Sequence, residues 1–198
     1  MRNGSFLATN GYTDDIWPGL RRSIIPVYSG IVATEPLPAD VAAGILPRRS
    51  VMYEHEDITV YCRIDAANRL LVGGRSRLKP MHSPGDFPDL QAYAKRLWPS
   101  IGNVRWSHGW NGQLAITRHG FPHFSEPADR VLVSVGYNGR GVAMATAMGG
   151  EIARRVTGTP SQELDMPVRA FHPVPFHSLW PLAVSARIAY GRARMRRG

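Results

Sequence analysis

Between residues 58 and 64 the chain alternates with a period of two: Ile58, Val60, Cys62 and Ile64 fall on one side, Thr59, Tyr61 and Arg63 on the other. That alternation predicts a strand with one buried face. The turn-forming run Asp65-Ala-Ala-Asn68 and the apolar stretch Leu70-Leu-Val-Gly-Gly74 predict its hairpin partner. Residues 23–34 are also strand-like, with Pro26 marking an edge or a bend. A period of three to four places Leu90, Tyr93, Ala94, Leu97 and Trp98 on one helical face, opened at Asp86 with Pro88 and closed by Pro99. The segment Phe6-Leu-Ala8 reads as the end of a strand that breaks at Thr9-Asn10-Gly11, with no earlier segment to pair with, and Trp17 as a packing anchor. Residues 104–117 predict a strand interrupted by glycines, residues 118–127 a loop, 131–135 a short buried strand and 142–156 a helix. A proline-punctuated connector over 160–175 and a final helix over 178–194 complete the chain, and no internal repeat is visible. These elements mix strands and helices along the chain.

The most informative stretch is Val131-Leu-Val-Ser-Val-Gly136-Tyr-Asn138-Gly139-Arg140-Gly141-Val142, a buried strand that runs through three glycines into an alanine-rich helix. Glycine admits positive φ and lets a ligand approach without a Cβ in the way. The N–H groups that open a helix are unpaired and carry about half a positive charge, which attracts phosphate or an atom that becomes negative during a reaction. The turn therefore reads as cofactor-facing, with a close-packed α/β turn as the structural alternative. A dinucleotide fingerprint requires a third small residue where Met144 stands, and a second strand ending in an acidic residue where Thr157-Gly-Thr-Pro160 begins a loop. A nicotinamide-dependent reading is disfavoured on that ground.

Composition narrows the remaining classes. The 198 residues are 43% hydrophobic and 20% charged, values of an ordinary globular chain. One cysteine excludes an internal disulfide framework and a cysteine-based zinc site; on the apolar side of its strand, Cys62 is a packing residue. No apolar run is long enough for a membrane span or a secretory signal, which predicts a cytoplasmic protein. The net charge of +9 invites a nucleic-acid reading, yet six arginines (Arg169, Arg187, Arg192, Arg194, Arg196 and Arg197) follow the last acidic residue, Asp165, and residues 1–168 carry only +3. No zinc finger, helix-turn-helix or aromatic-basic RNA motif accompanies the tail, so no specific nucleic-acid partner is predicted. His119 and His123 flank Gly120 and Pro122, which forbid a helix between them, so shared metal ligation is not expected. His55-Glu56 lacks the other residues of a zincin, and no serine or cysteine stands in a nucleophile elbow.

Four segments together carry a family likeness: Ala8-Thr-Asn-Gly-Tyr-Thr13 with Trp17-Pro-Gly-Leu-Arg-Arg22; Leu70-Leu-Val-Gly-Gly-Arg75; Trp110-Asn-Gly-Gln-Leu-Ala-Ile-Thr-Arg118 with Pro122; and Gly136-Tyr-Asn-Gly-Arg-Gly-Val142. The chain resembles the C-terminal part of FAD-dependent oxidoreductases of the D-amino-acid-oxidase superfamily, in the gamma-glutamylputrescine-oxidase-like branch. The resemblance implies an α+β fold, an incomplete two-domain α/β oxidoreductase in which residues 1–22 close the FAD-binding domain and 23–127 form a substrate domain with a mostly antiparallel sheet. Residues 128–160 then return to the FAD domain, and 161–198 are a connector and a basic C-terminal helix. It implies that Asn10 and Gly11 lie near the cofactor, and that Asn138, Gly139, Arg140, Gly141 and Val142 line the flavin edge. Tyr53, Tyr61, Trp110 and Arg118 are candidates for contact with an amine or amino-acid substrate, each with a plain alternative as a surface or core residue.

The departures from the family pattern are equally specific. The strand-GxGxxG-helix that holds the ADP half of FAD is not in these residues, so the resemblance implies a truncated chain, inactive alone or dependent on a second chain that supplies that half. Leu114-Ala-Ile116 stands where one branch has a flavin-linking cysteine, which implies noncovalent FAD. Ala143 stands where the same branch has a basic carboxylate-binding residue, which favours a longer amine over a small α-amino acid. The implied reaction is oxidation of a C–N bond. The competing reading is a non-enzymatic interaction module, an oxidase remnant acting through an exposed sheet edge or through its basic tail.

Overall fold

The computed structural model describes residues 4–54 and 59–195. Along the chain the elements are β1 (Ser5–Leu7), β2 (Ile25–Thr34), α1 (Ala39–Ile45), β3 (Met52–Glu54), β4 (Val60–Ile64), β5 (Leu70–Arg77), α2 (Pro88–Leu97), β6 (Trp106–Ile116), β7 (His123–Ala128), β8 (Val131–Val135), α3 (Gly141–Val156) and α4 (Trp180–Met195). The mixture of helices with two separate sheets is α+β, as the resemblance implies. The chain divides into two compact units, one of Met1–Val27 with Gln113–Trp180, the other of Tyr28–Gly112 with Pro181–Gly198. His55, Glu56 and Ile58 lie outside the described residues, as do Met1, Arg196 and Arg197 of the two termini.

The second unit is built on a five-stranded sheet in the order β3-β4-β5-β2-β6, with antiparallel β3/β4, β4/β5 and β5/β2 pairs. The hairpin read from the alternation is present. Asn68, at φ 60°, donates its N–H to Asp65 O (3.1 Å), and the Asp65 carboxylate accepts from the N–H groups of Ala67 and Arg69. Val60, Cys62 and Ile64 are buried with Val32, Leu70 and Val72, and Leu90 and Ala94 of α2 join the same cluster. Of the predicted helical face, Tyr93 and Trp98 pack at its margin and Leu97 is exposed. Thr59 is buried, unlike the solvent side expected for it, with its carbonyl packed close to Gly74 of β5. Burial, with the Glu54 charge as a smaller contribution, pushes the Cys62 thiol up to about 12, so it is an inert packing group.

The first unit carries a three-stranded sheet in the order β1-β8-β7. Two expectations change here. The strand at residues 5–7 is not unpartnered: β1 runs parallel to β8, with Phe6 opposite Leu132. The loop expected over 118–127 ends in a strand, because His123–Ala128 pairs antiparallel with β8 through a turn in which Arg130 takes φ 57°. The segment His-Phe-Ser-Glu-Pro-Ala has no alternation, and its strand character comes from the neighbour it pairs with. One face of this sheet buries Val133 and Val135 against Leu20, Ile24 and Ala115, with Trp17 and Leu7 packed at the edge. The other buries Phe124 and Tyr137 against Met148 of α3 and Leu164. No helix of the described residues is long and apolar enough to cross a membrane.

Candidate functional site

The strand-to-helix junction is held by two asparagines in left-handed backbone, Asn10 at φ 45° and Asn138 at φ 55°. Asparagine is among the few non-glycine residues that tolerate this region. Asn10 Oδ1 accepts the Gly136 N–H (3.0 Å) and the Tyr137 N–H (3.4 Å), which brings the turn after β1 onto the end of β8. Asn138 donates its own N–H to Ala115 O (3.0 Å), accepts the Thr117 N–H at Oδ1 (2.8 Å) and donates from Nδ2 to Gly136 O (2.6 Å). Three chain segments remote in sequence are thereby locked into one turn.

Each glycine of the site has its own reason. A Cβ on Gly11 would come within 3.0 Å of Gln113 O, so the backbones of the two segments touch there. Gly136 and Gly139 sit at φ 85° and 83°, and a Cβ on Gly136 would meet the Thr117 methyl. Gly141 differs: its φ is not in the left-handed region and nothing lies within 4 Å of where its Cβ would be. Internal packing does not explain the absence of a side chain at that position.

The start of α3 is open. Val142 is 93% exposed, Gly139 and Arg140 are exposed, and no side chain caps the helix. The first turn holds no acidic residue and the last turn holds Arg154 and Arg155, so the positive end of the helix dipole stands uncompensated at the junction. Arg140 adds a guanidinium beside it and donates from Nη2 to Gly120 O (2.9 Å), which leaves further donors of the fork uncommitted to that bond. The geometry suits a planar or anionic group laid against the helix mouth, whose N–H groups would face its electron-rich edge.

The structure therefore brings Asn10 together with the junction of Asn138, Gly139, Arg140, Gly141 and Val142 in the first unit, while Gly11 is buried against the Gln113 backbone beside them. Thr117 and Gly120 belong to it as positioning partners, and no local pattern in the sequence marks them, because their role consists of bonds to residues about twenty positions away. Arg118 lies in other surroundings. It lines a cavity with His119, His123, Arg169 and His172, a grouping that the sequence hints at only through its histidine density. Tyr53, Tyr61 and Trp110 belong to the second unit. Tyr53 and Tyr61 are direct cross-strand neighbours, the Tyr61 hydroxyl lies 3.2 Å from Ser29 Oγ, and its ring covers the backbone of Gly73. Tyr53 and Trp110 are 55% and 43% exposed, as a contact surface requires and a core does not.

Comparison with known proteins supplies the family. The DAO family, described as FAD dependent oxidoreductase, matches residues 5–155. A probable oxidoreductase OrdL of Haemophilus influenzae (strain ATCC 51907 / DSM 11121 / KW20 / Rd) is 32% identical over 160 residues, which are 77% of this chain and 35% of that protein. Gamma-glutamylputrescine oxidoreductase of Escherichia coli (strain K12) is 27% identical over 154 residues, 77% of this chain and 36% of that one. The chain thus spans 35–37% of the length of the curated relatives it matches. Among solved structures, iminodiacetate oxidase from Chelativorans sp. BNC1 superposes with a TM-score of 0.65 at 16% identity, over 87% of this chain and 47% of that one. Glycine oxidase from Geobacillus kaustophilus does so at 0.52 and 21%, over 78% and 38%. These two likenesses concern the fold.

Proposed function

Since the chain belongs to the DAO family of FAD-dependent oxidoreductases, we propose that Asn10, Gly11 and residues 138–142 form the ring-proximal part of a flavin site, in a protein that oxidises the C–N bond of an amine or amino acid. The observation that carries this reading is the open, uncapped mouth of α3 with vacant space over Gly141, where packing needs no glycine but a closely approaching ring does. When bound, the flavin supplies the two-electron acceptor for that oxidation.

The chain's own residues have separable tasks in this reading. Asn10 and Asn138 hold the turn from which α3 starts. The first N–H groups of α3 and Arg140 favour negative charge on whatever lies against them, a preorganised electrostatic effect that costs no rearrangement during reaction. Leu114, Ala115 and Ile116 offer no nucleophile, which supports a noncovalent cofactor. Tyr53, Tyr61 and Trp110 are proposed substrate contacts, supported by their place on one sheet and by the exposure of Tyr53 and Trp110, with Tyr61 half-buried beside Tyr53. They suit an amine with an apolar or cationic body, which ring faces attract.

The test is quenching of flavin fluorescence by the chain, with FAD and with riboflavin, which lacks the ADP half. If the contacts are to the ring, both flavins bind with comparable, weak affinity, and Gly141→Ala weakens both by roughly tenfold, about 1.4 kcal/mol. Absence of saturable quenching by either flavin, or an unchanged affinity in Gly141→Ala, overturns the proposal.

A further inference from the structure

Beyond the helix mouth, the first unit contains a cavity of about 990 Å³ between the loop that follows β6 and the connector that follows α3. Its polar lining is dominated by arginine and histidine: Arg118 and His119 on the loop, His123 at the start of β7, Arg169 and His172 on the connector. The only carboxylate in the lining, Asp165, is paired with Arg154 at 2.9 Å. Among the described residues, the side chains of Arg118 and Arg169 make no hydrogen bond or ion pair. Two guanidiniums that line one cavity and carry no partner of their own offer their donors to an incoming oxyanion.

The groups are carried on pinned backbone. Arg169 is fixed to the edge of β7 by its N–H to Phe124 O (2.8 Å) and by Ser125 Oγ donating to its carbonyl (2.5 Å). Arg118 follows Thr117, which is bound to Asn138 and donates from Oγ1 to Phe121 O (2.8 Å). His119 Nδ1 accepts the Phe121 N–H (3.2 Å), which leaves Nε2 as its donor. Its ring meets that of His123 edge to face, with centroids 5.3 Å apart. His123 is buried and its Nε2 lies 3.1 Å from Ser23 O, so it acts as a neutral wall. Phe121 and Met166 add apolar surface to the same lining, and the volume lies within the usual range of small-molecule sites.

We propose that this cavity binds a small organic anion through its phosphate or carboxylate oxygens, with Arg118 and Arg169 as the charged contacts and His119 and His172 as further donors. The site adjoins the proposed flavin surface and is independent of the flavin reading. The two meet at the segment 117–121, which bonds to Asn138 and Arg140.

The experiment is a titration of the chain with inorganic phosphate and, separately, with citrate, at constant pH and ionic strength, following the histidine ring resonances by NMR without flavin. Saturable shifts at His119 and His172 are expected. Saturation by phosphate alone assigns a phosphate-bearing ligand, saturation by citrate alone a polycarboxylate, and saturation by both their shared oxyanion chemistry. Arg118→Ala with Arg169→Ala should lower the affinity at least tenfold with unchanged circular dichroism, and the exposed His172→Gln should lower it by a smaller factor. Shifts that chloride reproduces at equal ionic strength overturn the proposal, as does unaltered affinity in the double arginine variant. A failed flavin titration leaves this result untouched.

Discussion

At the residue scale, glycines that look alike in the sequence answer to different constraints. Gly11 abuts the Gln113 backbone, and Gly136 combines φ 85° with contact to the Thr117 methyl. Gly11→Ala should therefore destabilise the chain by about 1–3 kcal/mol, the usual effect of forcing atoms into a filled site, whereas Gly141→Ala should leave the thermal midpoint unchanged or raised. Parallel thermal melts of the two variants decide whether packing and ligand approach are separable at this turn. His123 makes a second prediction. Burial, followed by the nearby His119 and His172, holds its pKa below the ordinary 6.5, while its contact with Ser23 O opposes the shift. The folded state thus takes up its proton less readily than the unfolded chain, so this stabilisation is complete above pH 6.5 and is lost as pH falls through the folded value. Urea midpoints should decline below pH 6.5 more steeply for the native chain than for His123→Gln.

At the element scale, α3 connects the site to the rest of its unit. Met148 packs it on the sheet, and its C-terminal half is tied down by Glu151, whose Oε2 accepts the Met166 N–H (3.2 Å) while Oε1 meets Arg154 at 2.8 Å. The Met166 N–H first, and Arg154 among the other causes, holds the Glu151 carboxyl below its ordinary 4.5. A depressed carboxylate stabilises above the unfolded value and loses that contribution as pH falls from 4.5 through the folded one. Glu151→Gln should be less stable than the native chain at neutral pH, and the difference should vanish in acid, as urea denaturation at pH 7 and pH 3 will show. Arg155 pairs with Glu126 of β7, a second tie between this helix and the sheet. The elements most legible in advance were those with a strict period, β4, its hairpin partner β5, and α2. β7 was not legible, because a strand without alternation exists only through its pairing with β8.

At the scale of the whole molecule, most of the charge lies apart from the helix mouth along the chain. Residues 1–168 hold +3 of the +9 net charge and contain the junction, the cavity draws only Arg169 from the six terminal arginines, and the other five follow residue 186. Removal of residues 187–198 should therefore reduce nonspecific retention on heparin and flatten its salt dependence, by up to about 0.9 logarithmic units per lost contact for a B-DNA-like polyanion. Flavin quenching should be unaltered in the same variant. If quenching disappears with the tail while circular dichroism is retained, the helix-mouth surface is not the binding element.

What the sequence determined by itself was whatever depends on neighbours close along the chain: the alternation of β4, the turn at Asp65–Asn68, the start of α3 after a glycine-rich turn, and the motif order that identifies the family. A backbone that must take positive φ, or a face that must be apolar, leaves its mark in consecutive residues. What only the tertiary structure decided was which groups meet. Asn10 reaches residue 136, Thr117 reaches Asn138, β1 finds β8, and Arg118 comes to share a cavity with Arg169 and His172. Such contacts are fixed by the three-dimensional path of the chain between them, and no periodicity of a local segment encodes that path.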